Sequence, residues 1–286
     1  MFTAQQTLTS HHPSPTSASA DQTASVRLEP FGTELQKDAQ DRIHRARERI
    51  RSSQGITSFG RSIAAFTDIY ADNSITTLVQ DFRRVLLIGQ TQHLARLTNT
   101  VRCSSASVSE SMPVVAASER DFLPRAVARL ENSQLPFALN CKVLRSDARH
   151  NDIRSIQELN RLVGLTPLPG AFLRGHHGNV VTLVLTDKAG RLAASATVVG
   201  LGNVGANYSD TAILVGVSVA PEVQGNGLGS HLTAGSLLAA RNLLGARKVI
   251  AVVHPANEVA LRTNASLGLQ PRSGFVARYV EHSGSC

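Results

Sequence analysis

Residues Val217–Leu232 read VSVAPEVQGNGLGSHL, a stretch that joins an apolar run to a helical pattern. The apolar run ends at Pro221, and three glycines, Gly225, Gly227 and Gly229, follow within five positions. Glycine loses more conformational entropy on folding than any other residue, so this density indicates a role for bare backbone. The stretch predicts a loop between a buried strand and the N-terminus of a helix.

The start of a helix attracts anions. Its first N–H groups lack intrahelical partners, and the helix dipole stabilises an anion there by about 0.3–1 kcal/mol. Each charge-assisted N–H bond adds about 1.5–3 kcal/mol. Because glycine lets oxygen atoms approach the backbone, we expect residues Gln224–Ser230 to hold a phosphate group.

Two nucleotide-binding patterns fail on spacing. A Walker loop needs Lys followed by Ser or Thr after its last glycine, whereas Ser230 and His231 stand there. A dinucleotide fingerprint counted from Gly225 needs a glycine at position 230, and it belongs at the first strand of a domain. The phosphate ligand is therefore of another kind.

Composition excludes several classes of protein. The chain has 286 residues and a formal net charge of +8, but no Trp and only three Tyr for base stacking, so nucleic acid is disfavoured. No apolar run is long enough for a membrane span, and the N-terminus lacks the pattern of a secretory signal. The three cysteines are odd in number and widely spaced, which predicts a cytoplasmic protein without a metal site.

Three regions follow along the chain. Residues 1–30 are rich in Ser, Thr and Pro and predict a disordered tail, although they also resemble the leader of some bacterial secreted effectors. Residues 31–139 predict a mostly helical region, with helices over 34–52 and 75–97 and another beginning near Asp121 and Pro124; a linker is expected at Val101–Ser111. Residues 140–286 predict an α/β domain of the α+β type.

The third region predicts a mixed, twisted sheet with flanking helices. CKVLRS is expected to be a strand, and Ile153, Ile156, Leu159 and Leu162 the apolar face of a helix. VVTLVLT and RLAASATVVGL predict a hairpin. ILVGVSV and KVIAVV, separated by a helix that ends at Gly245, predict two parallel strands, and a helix over Asn257–Leu267 precedes a last strand in FVARYVEH.

The loop resembles the acetyl-CoA loop of the GCN5-related N-acetyltransferases (GNAT), in which Gln/Arg-x-x-Gly-x-Gly/Ala follows Val-x-Pro. Here Val219-Ala220-Pro221 is followed by Gln224, Gly227 and Gly229. KVLRSDARHNDIRSIQEL resembles the first strand and helix of that family, and HPANEVALRTNASLGLQP resembles its later segment. The resemblance covers residues 140 to about 282.

The resemblance implies a GNAT-like sheet whose two central parallel strands splay apart around acetyl-CoA. The pantetheine arm would bond to the backbone of the strand that ends with Val217, Ser218 and Val219. The remaining expected cofactor-binding residues are Gln224, Gly225, Asn226, Gly227, Leu228, Gly229, Ser230 and Asn257. Candidates for the adenosine 3′-phosphate, among which the sequence does not choose, are Arg241, Arg247, Lys248 and Arg262.

The catalytic residues depart from the family pattern. The family places a Tyr acid seven residues after the helix-opening Asn, and here that position is Asn264, which could donate an amide hydrogen bond to the sulfur; Tyr279 is an alternative. The strand ILVGVSV lacks the usual glutamate, so Asp210 and His254 are the candidate bases. The adjacent His176 and His177 suggest a surface loop rather than a metal site.

These features predict an acetyl-CoA-dependent N-acyltransferase whose partners are acetyl-CoA and an amine acceptor, with no metal and no membrane; a homodimer is left open. RLVGLTPLPGAF and SFGRSIAAFTDIYAD loosely resemble acetyltransferases that make N-acetylglutaminylglutamine, which favours a small acceptor. Two alternatives remain. One is a non-catalytic CoA-binding or partner-binding protein, and the other is a secreted effector that acetylates protein side chains.

Overall fold

The computed structural model describes residues 56–59, 62–66, 84–102, 106–133, 140–144, 148–174, 179–202 and 206–282. The predicted disordered tail, the helix over 34–52 and the pair His176 and His177 lie outside these residues. The described strands are β1 (Ile56–Phe59), β2 (Ser62–Phe66), β3 (Arg84–Gln90), β4 (Ala106–Val108), β5 (Met112–Ser118), β6 (Asn140–Val143), β7 (Val180–Thr186), β8 (Leu192–Gly200), β9 (Thr211–Val219), β10 (Lys248–Val252) and β11 (Gln270–His282).

The described helices are α1 (Thr91–Arg102), α2 (Glu119–Asn132), α3 (His150–Leu162), α4 (Gly170–Leu173), α5 (Leu228–Leu244) and α6 (Glu258–Ser266). Short 3₁₀ turns lie at Ala206–Tyr208 and Pro221–Val223. Helix α5 ends at Gly245, whose φ of +68° is the left-handed conformation that glycine adopts at helix ends. The predicted helices over 230–244 and 257–267 are thus confirmed within two residues.

The strands form one mixed sheet in the order β1-β2-β3-β11-β5-β10-β9-β8-β7-β6, with β4 pairing to β11. Strands β7 and β8 form the predicted antiparallel hairpin, and β9 and β10 are the predicted parallel pair. The order places the parallel pair at the centre of the sheet. The predicted mixed sheet with flanking helices is therefore confirmed.

Each face of the sheet is covered by its own apolar cluster. On one face α5 buries Leu228, Leu232 and Leu237, and Phe122 of α2 joins the same cluster. On the opposite face Phe172 of α4 packs against central strands, and α3 lies beyond it. The predicted apolar face of α3 holds for three of its four residues, while Leu162 is 67% exposed.

The expected helix over 75–97 is wrong where the structure describes it, because Arg84–Gln90 forms strand β3 and helix α1 begins only at Thr91. RVLLIGQ is buried at five consecutive positions, as in a strand covered on both faces. Such a run satisfies helical spacing equally well, so periodicity could not separate the two. The expected linker at 101–111 contains β4.

Strands from both sides of residue 139 share the sheet. Strand β5 is inserted between β10 and β11, antiparallel to both, and β3 pairs with the other edge of β11. In the described part of 31–139 as many residues lie in strands as in helices, so this part is not mostly helical. The division of the chain at residue 139 stays a prediction.

Helix α2 is fixed to the turn that follows α6. The carboxylate of Asp121 accepts hydrogen bonds from the backbone N–H and the hydroxyl of Ser118, which lowers its pKa. Gly268 has a φ of +92°, and a Cβ placed there would lie 2.8 Å from the backbone oxygen of Asp121. Only glycine lets α2 lie this close to the turn.

We predict that Gly268→Ala destabilises the protein by about 2–4 kcal/mol, since left-handed strain of about 1–3 kcal/mol adds to a backbone clash. The control is Gly274→Ala, which has a φ of +73° but no atom within 4 Å of the added Cβ. Urea denaturation measures both variants. Equal losses in the two would show that the contact with Asp121 is unimportant.

Candidate functional site

An opening lies between β9 and β10. The two strands pair only from Thr211 with Lys248 to Leu214 with Ala251, and β9 then continues to Val219 without β10. Strand β10 stays paired with β5 as far as Val252. The edge of β9 beyond Leu214 therefore has no strand partner on that side among the described residues, and its backbone is available to a ligand.

A β-bulge marks the point where the opening begins. Leu214 pairs with Val198 and Gly216 with Thr197, so Val215 is an extra residue in β9. A bulge reverses the alternation of side chains beyond it. Val217 and Val219 consequently face the α5 side, whereas the Ser218 hydroxyl donates to Asn160 Oδ1 of α3 at 2.5 Å.

The glycine loop lies directly after β9. Gly225 and Gly227 have φ values of +81° and +75°, the conformations that favour glycine. The Gln224 side chain donates to the Val219 carbonyl at 3.0 Å, and the Asn226 side chain donates to the Val223 carbonyl at 3.1 Å. These side chains hold the loop and leave its backbone N–H groups at the surface.

Helix α5 starts without a side-chain cap. Gly227 is its N-cap, no acidic residue lies in the first turn, and the N–H of His231 is the first to bond within the helix, to the Gly227 carbonyl at 3.0 Å. The preceding N–H groups of the helix have no intrahelical acceptor. These N–H groups form the positive end of the helix dipole, which would stabilise an anion bound there.

The C-terminal end of α2 lies beside this helix start. Ser133 Oγ is 2.8 Å from His231 Nδ1 of α5. A Cβ placed on Gly227 would lie 2.9 Å from Nη2 of Arg129, so the guanidinium lies against the glycine loop. Burial, and then the positive charge of Arg129, lower the pKa of His231 below its usual value.

The predicted catalytic residues lie in different places. His254 follows β10 at its carboxyl end and accepts from the N–H of Ala256 at 3.2 Å, while Asn257 caps α6 by accepting from Ala260 at 3.0 Å. Both therefore share the sheet edge at which the glycine loop lies. Asp210 precedes β9, about 26 Å from its other end by the rise of a strand, and lies 3.5 Å from Lys248 Nζ. The structure does not bring Asp210 to the opening.

Asn264 lies inside the protein. Its side chain, in the last turns of α6, belongs to a residue only 5% exposed, and Oδ1 has no hydrogen-bond partner among the described residues. An unpaired buried acceptor costs about 1–3 kcal/mol.

Tyr279 belongs to a polar cluster on the α4 face. The guanidinium of Arg84 stacks 4.0 Å above its ring and lies 2.7 Å from a carboxylate oxygen of Glu281. Arg84 also donates to the hydroxyl of Thr166 at 2.6 Å. Burial raises the pKa of Tyr279, Arg84 opposes this and Glu281 adds to it, so the phenol keeps its proton at neutral pH.

A sequence model of the acetyltransferase (GNAT) family matches residues 155–269, the segment that contains β9, the glycine loop, α5 and α6. This segment belongs to the GNAT family. The match begins within α3 and ends just before β11, so Arg84 and Arg129 lie outside it.

Solved structures of GNAT proteins share the fold at low sequence identity. A GCN5-related N-acetyltransferase from Kribbella flavida has a TM-score of 0.52 at 14% identity, with 85% of this chain and 95% of that chain covered. A tandem GNAT protein from the clavulanic acid biosynthesis pathway has a TM-score of 0.51 at 15% identity, with 79% and 77% covered. No curated protein matches the sequence. The likeness extends the GNAT fold beyond the matched segment.

The four candidate phosphate ligands of the GNAT domain are dispersed. Arg241 pairs with Glu119 near the end of α5, and Arg247 and Lys248 lie at the start of β10, beside Asp210. Arg262 pairs with Glu258 on the surface of α6. The cation at the glycine loop is Arg129, which sequence reasoning missed because nothing in ARLENS indicates which helix α2 contacts.

The described residues contain no group of three or more His, Cys, Asp or Glu side chains that could hold a metal ion. Among the described helices none combines the length and the hydropathy required to cross a bilayer.

We predict a pH-dependent contribution of His231 to stability. Its folded pKa lies below the unfolded value of about 6.5, so the unfolded chain binds protons first as the pH falls. The free energy of unfolding is therefore unaffected above the unfolded pKa and decreases as the pH falls from there through the folded pKa of His231. Urea midpoints at pH 7.5 and 5.5 should fall more in the wild type than in His231→Gln. Identical shifts in both proteins would contradict the lowered pKa.

Proposed function

We propose that this protein is an acetyl-CoA-dependent N-acyltransferase that transfers an acetyl group to a primary amine of a small molecule or peptide. The observation that supports the proposal best is the opening between β9 and β10, which leads to a glycine loop and an uncapped helix start. The open backbone edge of β9 leads directly to the anion site at the start of α5. This arrangement suits a ligand in which an amide-containing arm is attached to a diphosphate.

The residues present fit coenzyme A. The unpaired edge of β9 offers the N–H and C=O groups of Val217 and Val219 to the pantetheine amides. Ser218 has its side chain bonded to Asn160 and its backbone directed to β8, so it supports the edge without contacting the ligand. The loop Gln224–Ser230 offers N–H groups to the diphosphate, and the amide nitrogen of Asn257 is not used by its capping bond. Leu228 contributes packing, since it is buried in the core.

The reaction is a direct transfer. The neutral amine nitrogen attacks the thioester carbonyl carbon, the new C–N bond forms and the C–S bond breaks. The proton of the amine passes to a base, and the thiolate leaves and takes a proton from an acid or from water. A thiol of pKa about 8.5 leaves without much help, and positioned acid catalysis adds about 10²–10⁴-fold.

His254 is the base that the geometry favours. It is exposed at the carboxyl end of β10, on the side where β9 and β10 part, whereas Asp210 lies at the paired end. Its Nδ1 accepts the N–H of Ala256, so the neutral imidazole carries its proton on Nε2, and Nδ1 has to release this hydrogen bond before it can take the proton of the amine. A neutral imidazole is the form that acts as base.

Asn264 is proposed to assist the leaving thiolate. The donor for the thiolate is the amide nitrogen Nδ2, because the atom that the fold leaves unpaired, Oδ1, can only accept. Tyr279 is the second candidate, because its raised pKa keeps it protonated and able to donate. Its ring, however, is on a strand that β5 separates from β10, about 10 Å away by the spacing of strands.

The acceptor site is proposed on the α4 face. A Cβ placed on Gly216 would lie 3.8 Å from Leu165 Cδ1, and the next residue, Thr166, reaches Arg84 on β3. The loop after α3 therefore spans the sheet from β9 to β3, above the level of the opening.

The strongest alternative is a CoA-binding protein without turnover. It is motivated by the missing Tyr and Glu of the family pattern and by the long segment that precedes the GNAT match. Release of free thiol from acetyl-CoA with a panel of amines separates the two functions. A cytoplasmic location remains part of the proposal, and deletion of residues 1–30 with an export assay tests the effector alternative.

We predict that acetyl-CoA binds the wild type with a dissociation constant below 1 mM, as is common for substrates, and that Gly227→Val abolishes this binding. The added side chain would point at Arg129 and fill the anion site. Gly190→Val is the control, since its φ of +80° gives equal strain in a remote turn. Isothermal titration and circular dichroism measure the two properties. Unaltered affinity in a natively folded Gly227→Val would refute the site.

We predict that Asn264→Leu lowers kcat by at least about tenfold, as expected for loss of one hydrogen bond in the transition state, and leaves acetyl-CoA affinity unchanged. The variant should be as stable as the wild type or more stable, because it removes an unpaired buried oxygen. Turnover with the best amine of the panel and urea denaturation test this. Full activity together with raised stability would exclude Asn264 from the reaction.

A further inference from the structure

We propose that Arg129, which lies outside the segment matched to the GNAT family, binds the diphosphate of coenzyme A together with the glycine loop. The inference rests on the proposed function and adds a residue that the sequence did not indicate. It makes α2, from the region that precedes the GNAT match, part of the cofactor site.

The first support is position. Nη2 of Arg129 lies 2.9 Å from the place that a Cβ of Gly227 would occupy. Gly227 is the N-cap of α5, so the guanidinium is adjacent to the N–H groups that face the anion site. An anion held by those N–H groups would lie within hydrogen-bonding distance of the guanidinium after a small rotation of its flexible side chain.

The second support is electrostatic. A guanidinium beside a helix N-terminus meets charge of its own sign, and no acidic residue in the first turn of α5 offsets it. No carboxylate within the described ranges pairs with Arg129, whereas Arg241 at the other end of α5 pairs with Glu119. The same charge lowers the pKa of His231 one turn into the helix. A bound diphosphate would compensate both the helix end and the guanidinium.

A structural role for Arg129 is the competing explanation. Cations in the last turn of a helix are stabilised by that helix's own dipole, and Arg129 is in the last turn of α2. The last carbonyls of α2 are, however, served by other groups: Ser133 Oγ donates to Leu130 and the Asn132 amide donates to Ala128. The guanidinium extends away from them, towards α5.

Helix α2 is held firmly enough to position the side chain. Its first turn is tied by the Glu119–Arg241 ion pair and by the close approach of Asp121 to Gly268. Its last turn is tied by Ser133 to His231. The helix thus runs antiparallel to α5, with its C-terminal end at the glycine loop, and Arg129 is presented by a rigid element rather than by a loop.

The experiment compares Arg129→Gln with Arg120→Gln. Arg120 is an exposed arginine of the same helix, about 13 Å from Arg129 along the axis. Titration calorimetry at low salt is done with CoA and with dephospho-CoA, which keeps the diphosphate and lacks the 3′-phosphate. We expect Arg129→Gln to raise the dissociation constant about tenfold for both ligands, the equivalent of one charge-assisted hydrogen bond. Arg120→Gln should change it less than twofold.

Salt and His231 give independent readouts. The difference between wild type and Arg129→Gln should shrink at 1 M salt, where screening acts over about 3 Å. In NMR titrations, with His231→Gln used for assignment, the pKa of His231 should rise in Arg129→Gln and on addition of CoA to the wild type. A merely structural Arg129 would leave the CoA-induced rise unchanged in the variant.

The outcomes separate the two proposals. No binding of CoA to the folded wild type would overturn the proposed function and this inference with it. Binding by the wild type and equal binding by Arg129→Gln would overturn the inference alone. A loss seen with CoA and absent with dephospho-CoA would assign Arg129 to the 3′-phosphate and so overturn its assignment to the diphosphate. An equal loss of CoA affinity in Arg120→Gln would show that the effect comes from the net charge of the protein, and would overturn the inference.

Discussion

The separation of β9 from β10 beyond Leu214 and Ala251 is the constraint on which the site depends. Backbone groups inside a sheet are normally paired, so two central strands that part must have their free edge satisfied by something else. The bulge at Val215 produces the separation by bending β9, while β10 keeps its pairing with β5. An opening with peptide groups along one side is the result, and the glycine loop lies at its end.

Strands β3 and β5 and helix α2, which precede the GNAT match, take part in this arrangement. Strand β5 pairs with β10 along the edge that faces away from β9, and without β5 that edge of β10 would be open. Helix α2 follows β5 directly and packs on α5, where it brings Arg129 to Gly227. Strand β3 supplies Arg84, which fixes Thr166 above the sheet. Strand β5, the Arg84 contact with Thr166 and the Arg129 contact with Gly227 therefore all use residues that lie outside the segment matched to the family.

The two polar clusters of the proposed site differ in their net charge. At the glycine loop, uncapped N–H groups and a guanidinium gather positive charge without a neutralising carboxylate, as an anion requires. On the α4 face, Arg84, Tyr279 and Glu281 form a balanced cluster whose charges are largely internal. The first arrangement favours a strongly anionic ligand.

The sequence by itself determined the elements whose signal is local. The order Val219-Ala220-Pro221 to Gly229 specified a strand, a loop and a helix, and uninterrupted apolar runs around one helix specified a parallel pair. Only the tertiary structure decided what depends on contacts between distant segments. Because of the bulge at Val215, the side chains of Ile213 and Val215 face one side of the sheet and that of Val217 faces the other. The apolar run of β3 is a strand that is buried on both faces. The positions of Asp210, away from the opening, and of Arg129, beside the glycine loop, have the same reason: local periodicity determines which residues a segment buries, but not which segment covers them.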